Sequence, residues 1–272
     1  MIWSLCALAS GTFNALWTSR IKGRVQTEGA LPFAASVRWG VVILLLPLAF
    51  VSAGPLPARW WAFTALAGLL ESLNVWTLAR GSRRDYYSTY ALANTAPFFT
   101  VLLAVPFLGE RVTPWLVAGI LLVVAGAVWL YYRDHWSWWG LAAALAGTVG
   151  NLFSKSVIGL GSPFSHAAFC FASGACLTTA LSVQQGPSGS FSRLGKNIWT
   201  NRDLAFFSFL GTVTFYLALF HIPVSRVSPL FRVSMVVAFF LSVFHLKERR
   251  DWKGRGVGAI LLLLGLLLVL KG

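Results

Sequence analysis

Glu71 is the residue of this chain whose position most demands a chemical explanation. It is the twelfth residue of an apolar run from 60 to 79, with no countercharge within a turn, and Asn74 follows three residues on, hence on the same helix face. An ionisable group at membrane depth costs several kcal/mol on insertion scales, so it is a functional candidate by default. An isolated carboxylate there suits a proton or cation carrier, loaded on one side of a barrier and unloaded on the other. The competing reading is structural, with Glu71 paired to an arginine across a helix interface.

Arg38 and Arg232 are the matching basic groups, each about 10 Å into its apolar segment by helical rise. Either can neutralise Glu71 or bind a carboxylate or phosphate on a substrate; the alternative for Arg38 is snorkelling to the interface. Asn14 and Asn151 bring amides that donate and accept. Ser10, Trp17 and Thr18 share a helical face with Asn14, as Gly147, Thr148, Ser154 and Lys155 do with Asn151. The bland reading of both amides is interhelical hydrogen bonding. Tyr90 lies one turn before Asn94, where an aromatic wall favours ring-bearing or cationic solutes. The candidate substrate-binding set is Asn14, Trp17, Asn74, Tyr90, Asn94, Asn151 and Arg232, with Glu71 as the coupling residue. Lys155, His166, His221 and His245 sit near predicted span ends and read as interfacial.

These residues must be positioned by membrane helices. The chain has 272 residues, of which 57% are hydrophobic and 11% charged, with mean hydropathy +0.71, which excludes an ordinary soluble protein. The net charge of +14 forms no basic stripe with interleaved aromatics, so nucleic acid is not an expected partner. Cys6, Cys170 and Cys176 form no CxxC or His/Cys cluster and read as packing residues, and neither a metal nor a cofactor is implied. Ten segments reach or approach the roughly 20 apolar residues needed to cross a bilayer. They run from 2 to 20, 31 to 53, 60 to 79, 86 to 108, 113 to 132, 137 to 158, 163 to 184, 203 to 222, 225 to 246 and 252 to 270. The polar stretch 185 to 202 is expected to be a surface loop, and the first segment a retained helix, because it lacks a basic n-region and a small-residue cleavage site. Trp60, Trp61, Trp115, Trp136, Trp138 and Trp139 fall at span ends, as an aromatic belt does. Pro97, Pro106, Pro223 and Pro229 fall in or beside spans, where they can bend helices. Connectors after odd-numbered spans hold 15 Lys+Arg against 4 on the other face, which places both termini away from the cytoplasm.

The halves resemble each other. A shift of 137 residues matches 6 of 19 positions between 3 to 21 and 140 to 158, Asn14 on Asn151 among them. A shift of 138 lays Leu108, Glu110 and Arg111 on Leu246, Glu248 and Arg249, and Asn94 on Arg232. Five spans per half make equivalent helices run in opposite directions, the inverted repeat that transporters use for alternating access. The expected fold is therefore an all-α integral membrane protein, ten transmembrane helices in two inverted five-helix repeats, 1–134 and 135–272, around a central cavity.

PFFTVLLAVPFLGERVTPWLVAGILLVVAGAVWL, residues 97 to 130, resembles the Pro, Leu-Gly-Glu-Arg, Gly, Gly signature of the EamA-type branch of the drug/metabolite transporter superfamily. Residues 228 to 270 resemble a second copy, with Lys247 in place of glycine and no proline aligned to Pro97. The resemblance implies a secondary transporter with a basket of helices around a central cavity. It also implies cytoplasmic termini, against the charge bias, and it selects no substrate, since relatives carry amino acids, drugs, nucleotide sugars and cations.

The expected function is a proton-coupled exporter of a small organic metabolite, such as an amino acid or amphipathic cation, in a bacterial inner membrane. Its partners would be that solute, protons and the lipid bilayer, and the protein would be a monomer or homodimer. A lipid or lipid-precursor flippase of the same fold is the alternative. An intramembrane enzyme is a weaker one, since Gly186-Pro187-Ser188-Gly189 matches a GxSG pattern but lies in a Gly/Ser-rich stretch.

Overall fold

The computed structural model describes residues 2–51, 55–82, 86–131, 137–185, 190–245 and 252–272, and among these every regular element is helical. The elements are α1 (Ile2–Glu28), α2 (Ala30–Val51), α3 (Ala58–Ser82), α4 (Tyr86–Ala93), α5 (Ala96–Leu108), α6 (Pro114–Tyr131), α7 (Trp138–Ile158), α8 (Pro163–Gln185), α9 (Ser190–Thr200), α10 (Arg202–His221), α11 (Val224–Phe231), α12 (Val233–Phe240), a π turn (Leu241–His245) and α13 (Trp252–Lys271). Seven helical segments among the described residues are long and apolar enough to cross a bilayer, with α4 and α5 together forming one of them and α6 a shorter apolar helix. The protein is a multi-pass membrane protein. Without water to hydrogen-bond the backbone, helices satisfy their own polar groups, which is why the apolar runs fold this way.

Two segments are interrupted, and the sequence explains the first break locally. Pro97 offers no amide hydrogen and its ring crowds the carbonyl four residues back, so α4 stops at Ala93. Asn94 Nδ2 donates to the Tyr90 carbonyl at 2.6 Å and Thr95 Oγ1 to the Leu92 carbonyl at 2.6 Å, in addition to the backbone amides that each carbonyl accepts, so the side chains at the break fold back on the last turn of α4. The second break falls at Arg232, three residues after Pro229 and 138 after Asn94.

Helices pair across the chain rather than along it. α1 packs on α10 and on α11–α12, while α7 packs on α3 and on α4–α5. α2 lies on α8, and α6 on α13. The α6·α13 contact is made by glycines: a Cβ on Gly119 would sit 2.8 Å from the Gly265 carbonyl oxygen, and one on Gly265 2.6 Å from that of Gly119. Gly126 and Gly258 face each other in the same reciprocal way, at 2.7 and 2.9 Å. Small residues are what allow two backbones to approach this closely in lipid.

The stretch expected to be a loop contains α9. Leu194 and Ile198 recur at helical spacing and turn toward the protein, where α9 packs on α2, while Arg193, Lys196 and Trp199 stay exposed. The local Gly/Ser content had masked that amphipathic period. The interfacial reading of His166 is also overturned, because its side chain is fully buried and its Nδ1 lies 3.0 Å from Thr64 Oγ1. Trp60 is fully buried, whereas Trp61, Trp115 and Trp138 are exposed as a belt residue should be. Cys170 is buried and Cys176 exposed. Trp136, the Gly186–Gly189 pattern and Lys247, Glu248 and Arg249 lie outside the described residues.

Candidate functional site

A cavity of about 280 Å³ lies among α1, α2, α3, α4–α5, α7, α8, α10 and α11–α12. It is lined by early residues of α2, late residues of α3 and the middle of α1, α7 and α10, so it lies inside the bundle and leans toward the end where α2 begins and α3 finishes. Asn14, Trp17, Glu71, Asn74, Tyr90, Asn94, Asn151 and Arg232 all line it.

The two helix breaks meet here. Arg232 Nη1 donates to Asn94 Oδ1 at 2.8 Å, so two residues 138 apart in the sequence, one at each break, bond directly to each other. The Arg232 guanidinium also lies over the Phe231 ring at 5.5 Å, and its buried Nε has no partner among the described residues. Breaking a helix at this depth frees space for a charged side chain without exposing backbone to lipid, because the freed groups face the protein interior.

Arg38 does not snorkel. It is 4% exposed, its Nη2 donates to the Glu71 carbonyl oxygen at 2.6 Å, and its guanidinium covers the Phe171 ring at 5.2 Å. Its Nε and Nη1 are buried with no hydrogen-bond partner among the described residues. A buried charged donor left unpaired is costly, so sites of this kind are completed by a ligand or by water.

Glu71 lines the cavity, and its carboxylate makes no hydrogen bond or ion pair within 4.0 Å among the described residues. Arg38 and Arg232 are the cations whose fields act on it. The backbone of α7 passes close by, where a Cβ on Gly150 would stand 3.5 Å from Glu71 Oε1. Asn74 is tied to the scaffold, with Nδ2 donating to the Ala143 carbonyl at 3.1 Å, and Gly147 admits it because any side chain there would collide with that amide nitrogen. Asn14 and Thr18 of α1 line the same cavity as Tyr90, and Thr18 Oγ1 donates to the Asn14 carbonyl at 2.9 Å. Trp17 Nε1 is buried without a partner among the described residues, and Asn151 is half-buried on the α7 wall.

Sequence reasoning ranked Arg38 below Arg232 and missed most of the apolar wall. Phe33, Phe171, Phe207, Phe215 and Tyr216 all line the cavity. In a chain with 21 Phe, no local signal separates an aromatic that faces a cavity from one that faces lipid.

The two ends of the bundle are tied differently. Near the cavity end, Arg24 Nη1 donates to Asn201 Oδ1 at 2.9 Å and to Asp203 Oδ1 at 3.1 Å, while Asn201 Nδ2 donates to Glu28 Oε2 at 2.9 Å. At the opposite end, Lys155 Nζ donates to the Leu219 and Ile222 carbonyls at 2.7 and 2.9 Å, at the C-terminal end of α10. There too, Glu110 caps α11, its carboxylate oxygens accepting from the Val224 and Ser225 amides at 2.8 and 3.0 Å. Gly109 adopts φ +65°, ending α5 in the left-handed turn that aims Glu110 at α11. The Leu-Gly-Glu-Arg signature thus has a physical reading as a helix stop followed by a cap for α11, more than a hundred residues on in the chain.

Residues 1–132 and again 135–271 match the EamA-like transporter family. The chain belongs to that family. Two curated relatives match part of it. The chloroplastic phosphoenolpyruvate/phosphate translocator 1 of Arabidopsis thaliana is 34% identical over 75 residues, 26% of this chain and 18% of the relative. Translocator 2 of the same plant is 31% identical over 96 residues, 35% of this chain and 25% of the relative. The chain therefore aligns with a quarter or less of the length of these relatives. A solved crystal structure superposes with a TM-score of 0.77 at 16% identity, covering 98% of this chain and 95% of the other, so the fold is shared over nearly the whole length.

Proposed function

We propose that this family member is an alternating-access transporter of a small organic metabolite, built from halves 1–134 and 135–272 that are related as inverted repeats and cross the membrane ten times. The observation that carries the reading is the cavity at the junction of two broken helices, where Asn94 and Arg232 meet and charged donors stand unpaired. Both halves supply walls, so rocking one against the other would alter access to the same residues.

Three features support the inverted relation. Gly258 and Gly265 follow Gly119 and Gly126 by 139 residues, and the glycine contacts cross over, 119 to 265 and 126 to 258, as an antiparallel pair of equivalent helices requires. The packing of α1 on α10 has its counterpart in α7 on α3. The family match also falls in two consecutive stretches of similar length.

Glu71 is the proposed proton carrier, since among the described residues it is the sole acidic one lining the cavity and has no bonded counterion. The relatives' names, phosphoenolpyruvate/phosphate translocators, agree with a small metabolite as cargo. The test is counterflow in proteoliposomes holding the purified chain, screened with labelled amino acids, carboxylates and amines. Saturable, protein-dependent exchange is the expected result. Its absence for every soluble solute, with lipid scrambling present instead, would replace this reading with a flippase.

A further inference from the structure

The formal charge of the cavity is unbalanced, and the imbalance has a sign. Among the described residues, Arg38 and Arg232 contribute two positive charges and Glu71 one negative, so that lining is net positive with Glu71 ionised and doubly positive with Glu71 protonated. The titratable and charged groups around that carboxylate are Arg38 on α2, Cys170 on α8, Tyr216 on α10 and Arg232 between α11 and α12, with Tyr90 of α4 beside Arg232. None supplies a second carboxylate. In a poorly screened interior such an excess is corrected by whatever enters.

The donors that would receive an anion are present. Arg38 spends Nη2 on the Glu71 carbonyl, and Arg232 spends Nη1 on Asn94. Arg38 Nε and Nη1 and Arg232 Nε remain buried and unpartnered among the described residues. A guanidinium held by one nitrogen keeps its other hydrogens in the planar fork that matches carboxylate and phosphate oxygens. The remaining wall is aromatic, with Phe171, Phe207 and Phe215, which suits an apolar body behind the anionic head.

We propose that the cargo is a small organic anion, a carboxylate or phosphate monoester with an apolar body, and that it is carried together with a proton on Glu71 rather than in exchange for one. The inference rests on the transport reading above. Protonating Glu71 removes the one negative charge that opposes an anion, so proton and anion bind each other's forms of the protein more tightly, and linkage makes this reciprocal. A cationic cargo would reverse the sign, competing with the proton and giving antiport. For two charges in a protein interior the coupling approaches a thousandfold in affinity at about 4 Å and falls to about tenfold at about 12 Å, so about tenfold is the smallest effect expected across the cavity.

The test uses the purified protein with three phenyl-bearing probes, phenylacetate, phenyl phosphate and phenethylamine, by calorimetry in detergent at about pH 6 and about pH 8, with phenyl phosphate affinities corrected for its own second protonation near pH 6. At least one anion should bind, about tenfold tighter at the lower pH, with phenethylamine silent. Which anion binds separates a carboxylate from a phosphate cargo. Glu71→Gln should bind the anion at both pH values with the pH dependence lost. Arg38→Lys and Arg232→Gln should weaken it about tenfold or more, with unfolding temperature and elution volume confirming that each variant folds. In proteoliposomes, an inward anion gradient should acidify the lumen. Tighter binding of phenethylamine, weaker anion binding at low pH, or silence of both anions at millimolar concentration overturns the inference. Amine flux in the same vesicles would then leave the transport reading standing, whereas no flux of any probe or screened solute removes both.

Discussion

The α6·α13 pair and the pair of broken segments, α4–α5 and α11–α12, each join a helix from residues 1–132 to one from residues 135–271, the two stretches that match the family, yet their residues obey opposite rules. In α6 and α13 the counterparts are the same residue, Gly119 with Gly258 and Gly126 with Gly265, and each glycine lies against a backbone carbonyl of the other helix. At the breaks the counterparts differ, Asn94 in one half and Arg232 in the other. Where equivalent helices need only touch each other, the contact is reciprocal and one residue type serves both sides. Where they face the cavity, the two sides differ, and one side carries the charge while the other bonds to it.

Four substitutions bear on this contrast. Gly126→Leu forces a side chain where a Cβ alone would already lie 2.7 Å from the Gly258 carbonyl and the Leu262 amide. Thermal unfolding should show a loss of about 3 kcal/mol, and unchanged stability would mean that the glycine contact is not what holds α6 on α13. Arg232→Asn makes the two breaks chemically alike. Anion affinity should fall by about 2 kcal/mol, roughly thirtyfold, with little loss of fold, because removing a buried cation also removes its desolvation cost. An equal fall in stability would make Arg232 a structural residue instead.

Glu110→Gln keeps the shape of the α11 cap and removes its charge, so unfolding should shift by about 1 kcal/mol. No shift would mean that the amides of Val224 and Ser225 are served equally well by a neutral acceptor. The smallest effect is expected from Asp203→Asn, since the Arg20 and Arg24 pairs with Asp203 are half-exposed. A loss of about 0.5 kcal/mol that disappears at high salt is the expected result. A larger, salt-independent loss would show that this end of the bundle is held more firmly than its exposure implies.

Glu71 was legible as a candidate because a mid-span acid stands out against its neighbours in any apolar run. Asn94 and Arg232 were legible because one offset aligned them. Arg38 was not, since an arginine about 10 Å from a helix end snorkels or turns inward according to what packs beside it. Here Phe171 of α8 and the Glu71 carbonyl of α3 hold it inward. His166 was misjudged for the same reason: nearness to a span end says nothing about the α3 and α10 residues, Thr64 and Tyr216, that enclose it. α9 was read as a loop because Gly and Ser dominate its start, and only docking on α2 turns the weak Leu194/Ile198 period into a helix.

By itself the sequence determined what depends on neighbours along the chain. Apolar runs made helices, since a backbone in lipid must bond to itself. Pro97 ended one of them at Ala93, and Gly109 ended another ahead of Glu110. Only the tertiary structure decided which helix faces meet, and therefore which cations stay unpaired, which aromatics wall the cavity and whose amides Glu110 caps. Helix contacts in a bilayer rest on close packing and interhelical hydrogen bonds rather than on differences in hydropathy between apolar faces, so hydropathy read along the chain carries little of that information.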